Sequence, residues 1–157
     1  MISMGINAIS LNGLEVVIAL HTQHDPQPEE WAHYIDTHIN LKKKNAGDLS
    51  RIRDFVVTDG GAPNVKQRAM MSEAFGAASK VAVITNALSN PIKRGVATAI
   101  SWANPSFKAL PPEQWRIALR HVDLEGHMQT VLLELARLQA KLPPVTSLAQ
   151  LVAVQSL

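Results

Sequence analysis

The segment Asp54-Phe55-Val56-Val57-Thr58-Asp59-Gly60-Gly61-Ala62-Pro63-Asn64 closes an apolar run with an acid, two glycines and a proline, directly ahead of a helix-like pattern. It predicts a buried strand, a tight turn and a helix N-terminus. In an open α/β sheet, ligands collect at that place because backbone N–H groups and the helix dipole converge beyond the carboxyl end of the strand. The loops that leave neighbouring strands share the edge. His21, Thr22, His24 and Asp25 come from the second strand-like run and Thr85 and Asn86 from the fourth, with Lys66, Arg68 and Arg94 on the early turns of the helices that follow.

Three chemistries suit these residue types. Anion binding would use Gly60 and Gly61 for close backbone approach, the N–H groups of the second helix, and Arg68 or Arg94 as a fork of donors. Acid–base or metal chemistry would use His21, His24 and Asp59, although the two histidines lack the i, i+4 spacing of a helical metal motif. A serine nucleophile is disfavoured, since Ser72, Ser79, Ser89 and Ser101 lie outside any G-x-S-x-G elbow. Neither GxxxxGK[ST] nor GxGxxG occurs, so no standard nucleotide loop is expected. The candidate ligand- or partner-binding set is therefore His21, Asp59, Gly60, Gly61, Asn64, Arg68, Thr85, Asn86 and Arg94. No catalytic residue, metal set or cofactor is assigned.

Plain structural roles compete for several of these side chains. Asp59 could serve as a turn former that accepts the N–H of Gly61 or Ala62. His33, His38, His121 and His127 fit no ligand spacing and are expected to be solvated helix residues. Trp31, Trp102 and Trp115 fall on apolar helical stripes and are expected in the core.

The elements that must position the edge follow from periodicity. Ile6 to Ser10 and Leu14 to Leu20 are strand-like runs joined by Leu11-Asn12-Gly13, the strongest short-range hairpin signal. Asp25 to Glu30 supplies a cap, prolines and early acids for a first helix through Trp31, Ile35 and Ile39, ending near Lys44. Phe55-Val56-Val57 is a continuous β-branched strand. Asn64 or a neighbour starts a second helix with Val65, Met70, Met71, Ala74 and Phe75 as apolar positions and Gly76 as its stop. Val81 to Thr85 is the fourth strand, and a helix from Pro91 carries Val96, Ala97, Ile100 and Trp102. Phe107 to Leu110 reads as an edge strand, and Pro111-Pro112-Glu113 opens a helix through Trp115, Ala118, Leu119 and Val122.

Alternation of strand and helix after a hairpin predicts an α/β fold: a single mixed, mostly parallel sheet with an N-terminal antiparallel hairpin and helices on its faces. Residues 1–122 form that domain. Residues 123–157 add a C-terminal amphipathic helix, with Met128, Val131, Leu135, Leu138 and Leu142 at steps of three and four, and an uncharged apolar tail from Ser147 to Leu157. That part packs on the body or, as a homodimer through residues 128–157, on a second copy.

Composition narrows the partners. The 157 residues carry a net charge of +2, with 46% apolar and 18% charged residues, as in ordinary globular domains. Basic residues are dispersed except at Lys42-Lys43-Lys44, which complements a helix C-terminus, and the pair Lys93-Arg94, so no continuous stripe tracks a phosphate backbone and nucleic acid is not an expected partner. Without cysteine there are no disulfides and no thiolate chemistry, which is compatible with a reducing compartment. No apolar run is long enough to span a bilayer and no signal-peptide pattern is present, which places the protein in the cytoplasm.

The element order over roughly residues 5–122, with Phe55 to Gln67 and Phe107 to Leu119 as the best local matches, resembles the STAS fold and its SpoIIAA-like branch. Members that antagonise anti-sigma factors carry an Asp-Ser-Ser-Gly-like turn after the third strand, whose serine is phosphorylated. Here that place reads Asp59-Gly60-Gly61-Ala62, without the phosphoacceptor. The resemblance implies a non-enzymatic regulatory or interaction module that binds a protein partner or a small anionic or lipid-like ligand. The alternative is a small α/β enzyme or anion-binding protein using His21, Asp59, Arg68 and Arg94.

Overall fold

The computed structural model describes residues 2–75, 79–95, 97, 104 and 106–155. The expected positions Gly76, Val96, Ile100, Ser101, Trp102 and Leu157 lie outside the described residues. Five strands, β1 (Met4–Leu11), β2 (Leu14–His21), β3 (Ile52–Thr58), β4 (Lys80–Thr85) and β5 (Phe107–Leu110), form one sheet in the order β1-β2-β3-β4-β5. The β1–β2 pair is antiparallel and the other pairs are parallel. The hairpin turns through Asn12 (φ 51°) and Gly13 (φ 81°), the left-handed pair that a two-residue loop needs to match strand twist.

Helices cover both faces. Alternate residues Val16, Ile18, Leu20, Phe55, Val57, Ala82 and Ile84 point to one side. There they meet α3 (Trp115–His121), α4 (Met128–Gln139) and α5 (Thr146–Gln155). Val131, Leu135, Leu138, Val145, Leu148 and Leu151 belong to this core, so the C-terminal seam faces the chain's own sheet, with Leu133 and Val152 left exposed. The opposite face receives α1 (Pro28–Lys44) through Trp31, Tyr34, Ile35 and Leu41, and α2 (Val65–Phe75) beside it.

Local details differ from the sequence pattern in two places. Gln27, not Asp25, caps α1: Pro28 starts the helix and Glu30 reaches back to accept the Gln27 N–H at 2.9 Å. In α2, Val65 and Met70 are exposed, while Gln67 is buried and Met71 and Ala74 face the core. Asn64 and Gln67 form the reciprocal cap of this helix, each side chain accepting the other's backbone N–H, at 2.8 and 2.9 Å.

Candidate functional site

Among the described residues, the face of the sheet under α1 and α2 is incompletely filled. A cavity of about 260 Å³ lies there. It is larger than the roughly 150 Å³ that holds benzene in an engineered core and near the lower end of small-molecule sites. The strand register sets its floor in three rungs. Asp54 lies beside Val81, Val56 beside Ala19 and Val83, and Thr58 beside His21 and Thr85. Successive same-face rungs are two residues apart, so the floor runs about 13 Å from Asp54 to the carboxyl ends of the strands. Its middle is apolar, with Ala109 extending it across β5, and its two ends are polar.

His21 closes the strand-end side. It is 5% exposed, and its Nε2 has no hydrogen-bond partner among the described residues. Burial, above all, pulls the imidazole pKa down to about 4, against weaker opposing effects of the His24 backbone and the Glu30 and Asp25 carboxylates. The ring is therefore neutral near pH 7. The His24 carbonyl acts on it without a hydrogen bond of acceptable geometry. Beside it, the Thr85 hydroxyl accepts the Ala87 N–H at 3.1 Å and keeps its proton to donate. Lys93 also lines the cavity. Its side chain is 32% exposed, and the carboxylate paired with it, that of Asp25, is at 3.9 Å.

The other end holds a buried charge pair. Asp54 is 0% exposed and accepts the Tyr34 hydroxyl at 2.9 Å and His38 Nε2 at 2.6 and 2.9 Å. His38 Nδ1 lies 2.8 Å from the Tyr34 carbonyl. Both of these partners accept, so both ring nitrogens donate and His38 is an imidazolium. Burial opposes that charge, but the Asp54 charge and hydrogen bonds outweigh it and raise the histidine's pKa. Burial and the same carboxylate push the Tyr34 phenol well above its ordinary range, so it remains a donor.

The structure brings four of the candidate residues to the cavity: His21, Gly60, Gly61 and Thr85. Asp59, Asn64, Arg68, Asn86 and Arg94 do not line it. Asn64 caps α2, Arg68 donates to the Pro63 carbonyl at 2.9 Å, Asn86 N–H donates to Ser147 Oγ at 3.0 Å, and Arg94 is exposed. Gly61 admits protein rather than ligand: a Cβ there would collide with the His24 carbonyl oxygen and stand 2.7 Å from that of Thr22. Gly60 has φ +109°, a conformation that side chains disfavour.

Asp59 accepts the N–H groups of Thr146 and Ser147, both at 2.7 Å, and so caps α5 instead of its own turn. Ala62 N–H goes to Asp25. Asp59→Ala is expected to cost about 1–2 kcal/mol, and hydrogen exchange should quicken selectively over residues 146–155. Uniform exchange rates in the variant would show that this cap does not hold the helix.

Sequence reasoning missed Tyr34, Asp54 and Lys93, and His38 is buried rather than solvated. A signal was present: Trp31, Tyr34, Ile35 and His38 share one helical stripe, and an acid begins the β-branched run. His33 is exposed as expected, whereas His121 Nε2 bonds the Ser106 carbonyl at 2.6 Å. Among the described residues, no three His, Asp or Glu side chains converge as a metal site, and no helix is long and apolar enough to cross a membrane. Comparison of the chain with protein-family models, curated proteins and solved structures finds no match.

Proposed function

We propose that this chain is a non-enzymatic STAS-like module of the SpoIIAA-like type that binds a small, mainly apolar ligand between its sheet and the α1–α2 layer. The supporting observation is the cavity itself, apolar along its floor and with the polar side chains of Thr85 and Lys93 at the strand-end side. A well-packed core normally leaves few voids larger than a water molecule. A mainly apolar space with Thr85 and Lys93 at one end fits a binding role. A regulatory role would follow if occupancy changed the strand-end edge, where Gly60, Gly61 and the α5 cap meet, and so changed recognition by a protein partner.

The acid–base alternative needs His21 and Asp59 to act together. Asp59 is instead committed to α5, so binding is the better account. Calorimetry with 3-phenylpropan-1-ol, an apolar ring with a single hydroxyl, tests it. Ala19 is 1% exposed and lies on the cavity floor, so Ala19→Leu adds three carbons into the space. The variant should bind the alcohol about tenfold more weakly or worse, with its unfolding midpoint unchanged or raised. Equal binding by both proteins would place the probe elsewhere and reject the cavity as the site.

A further inference from the structure

The two ends of the cavity differ in a way that selects the ligand's head group. At the Asp54 end, the carboxylate is already satisfied by Tyr34 and by an imidazolium, so that end offers no net charge. At the strand-end side the groups are donors in want of acceptors. Thr85 has its hydroxyl proton to give, and Lys93 brings a full positive charge. Asp25 is a poor rival for that charge: it is 69% exposed, stands 3.9 Å away, and already accepts the Ala62 N–H at 3.1 Å. The remaining nearby acids are also occupied. Asp59 caps α5, and Glu30 accepts from Ser3, Met4 and Gln27.

From this arrangement, and resting on the binding role above, we infer that the ligand is a small monocarboxylic acid. Its carboxylate meets Lys93 and Thr85, and its apolar tail lies over Ala19, Val56 and Val83. A buried carboxylate needs a cation and a hydrogen-bond donor to replace its water, and Lys93 and Thr85 sit together at one end of the cavity. The tail then points along the strands toward the neutral Asp54 cluster, over the floor set by the sheet register.

The test compares 3-phenylpropanoate with 3-phenylpropan-1-ol, which share a ring and chain and differ in head-group charge. Titration of the full chain should show the acid binding about tenfold more tightly than the alcohol at pH 7. Lys93→Met keeps the aliphatic stem and should remove that preference, weakening the acid more than the alcohol. Stronger salt dependence for the acid than for the alcohol in the unmodified protein would support the same ion pair without any variant. If the alcohol binds as well as the acid, or Lys93→Met leaves the preference intact, the carboxylate assignment is overturned while the cavity's binding role stands. If neither compound binds, both fail.

Discussion

Replacing Asp54 by alanine should cost the fold about 3–5 kcal/mol, the loss expected when one member of a buried ion pair is removed. Asp54 sits on β3, the middle strand of the sheet, and is fully enclosed. Its two oxygens hold the Tyr34 hydroxyl and His38 Nε2. Without the carboxylate, His38 would lose the counter-charge and the Nε2 acceptor that Asp54 supplies. Denaturant unfolding of Asp54→Ala measures the effect. A loss below about 1 kcal/mol, the scale of a surface pair, would mean the pair is not as described. The double replacement Asp54→Leu with His38→Leu should recover much of the loss, because apolar substitution of both partners removes the desolvation cost together with the attraction. The pH dependence carries a sign. The folded pKa of His38 is raised above its unfolded value near 6.5, so the folded state holds the proton more tightly. Its contribution is full below pH 6.5 and is lost as pH rises through the raised folded value.

His21→Leu should act in the opposite direction. An unsatisfied buried polar group costs about 1–3 kcal/mol, and leucine of similar volume removes that cost, so the unliganded variant should be more stable than the natural protein. The pH signature is separate from that of His38. The pKa of His21 falls from its ordinary value of 6.5 to about 4 on folding, so between these pH values the unfolded chain binds the extra proton. Stability is intact above pH 6.5 and declines as pH falls toward 4, by about 3 kcal/mol in all. His21→Leu should flatten that acid limb while leaving the alkaline limb from His38 in place. Equilibrium unfolding across pH 4 to 9 reads both limbs, and an unchanged acid limb in the variant would show that His21 is not the group responsible.

The parts of the fold governed by local rules were legible in the sequence. Asn12-Gly13 specified the hairpin, the β-branched runs at Phe55 to Val57 and Val81 to Thr85 gave the central parallel strands, and the seam starting at Met128 gave a core-facing helix, which ends at Gln139 with Leu142 in the turn beyond it. The site was legible only as a place. His21, Gly60, Gly61 and Thr85 were found because strand-end loops must converge in a parallel sheet. Tyr34 and Asp54 were not, since they meet across elements that are 20 residues apart, and the register that joins them is a tertiary fact. Asp59 shows the same limit in reverse. An acid in a glycine turn suggests a local or ligand-directed role, but its partners, Thr146 and Ser147, arrive only when the C-terminal helix docks.

The cavity's role as a ligand site is tested most directly by nuclear Overhauser contacts between the ring protons of bound 3-phenylpropanoate and the methyl groups of the protein. The expected contacts are to Ala19, Val56 and Val83 on the cavity floor. Contacts confined to Val65, Met70 and Ile92, the exposed apolar residues of the neighbouring surface, would contradict the account.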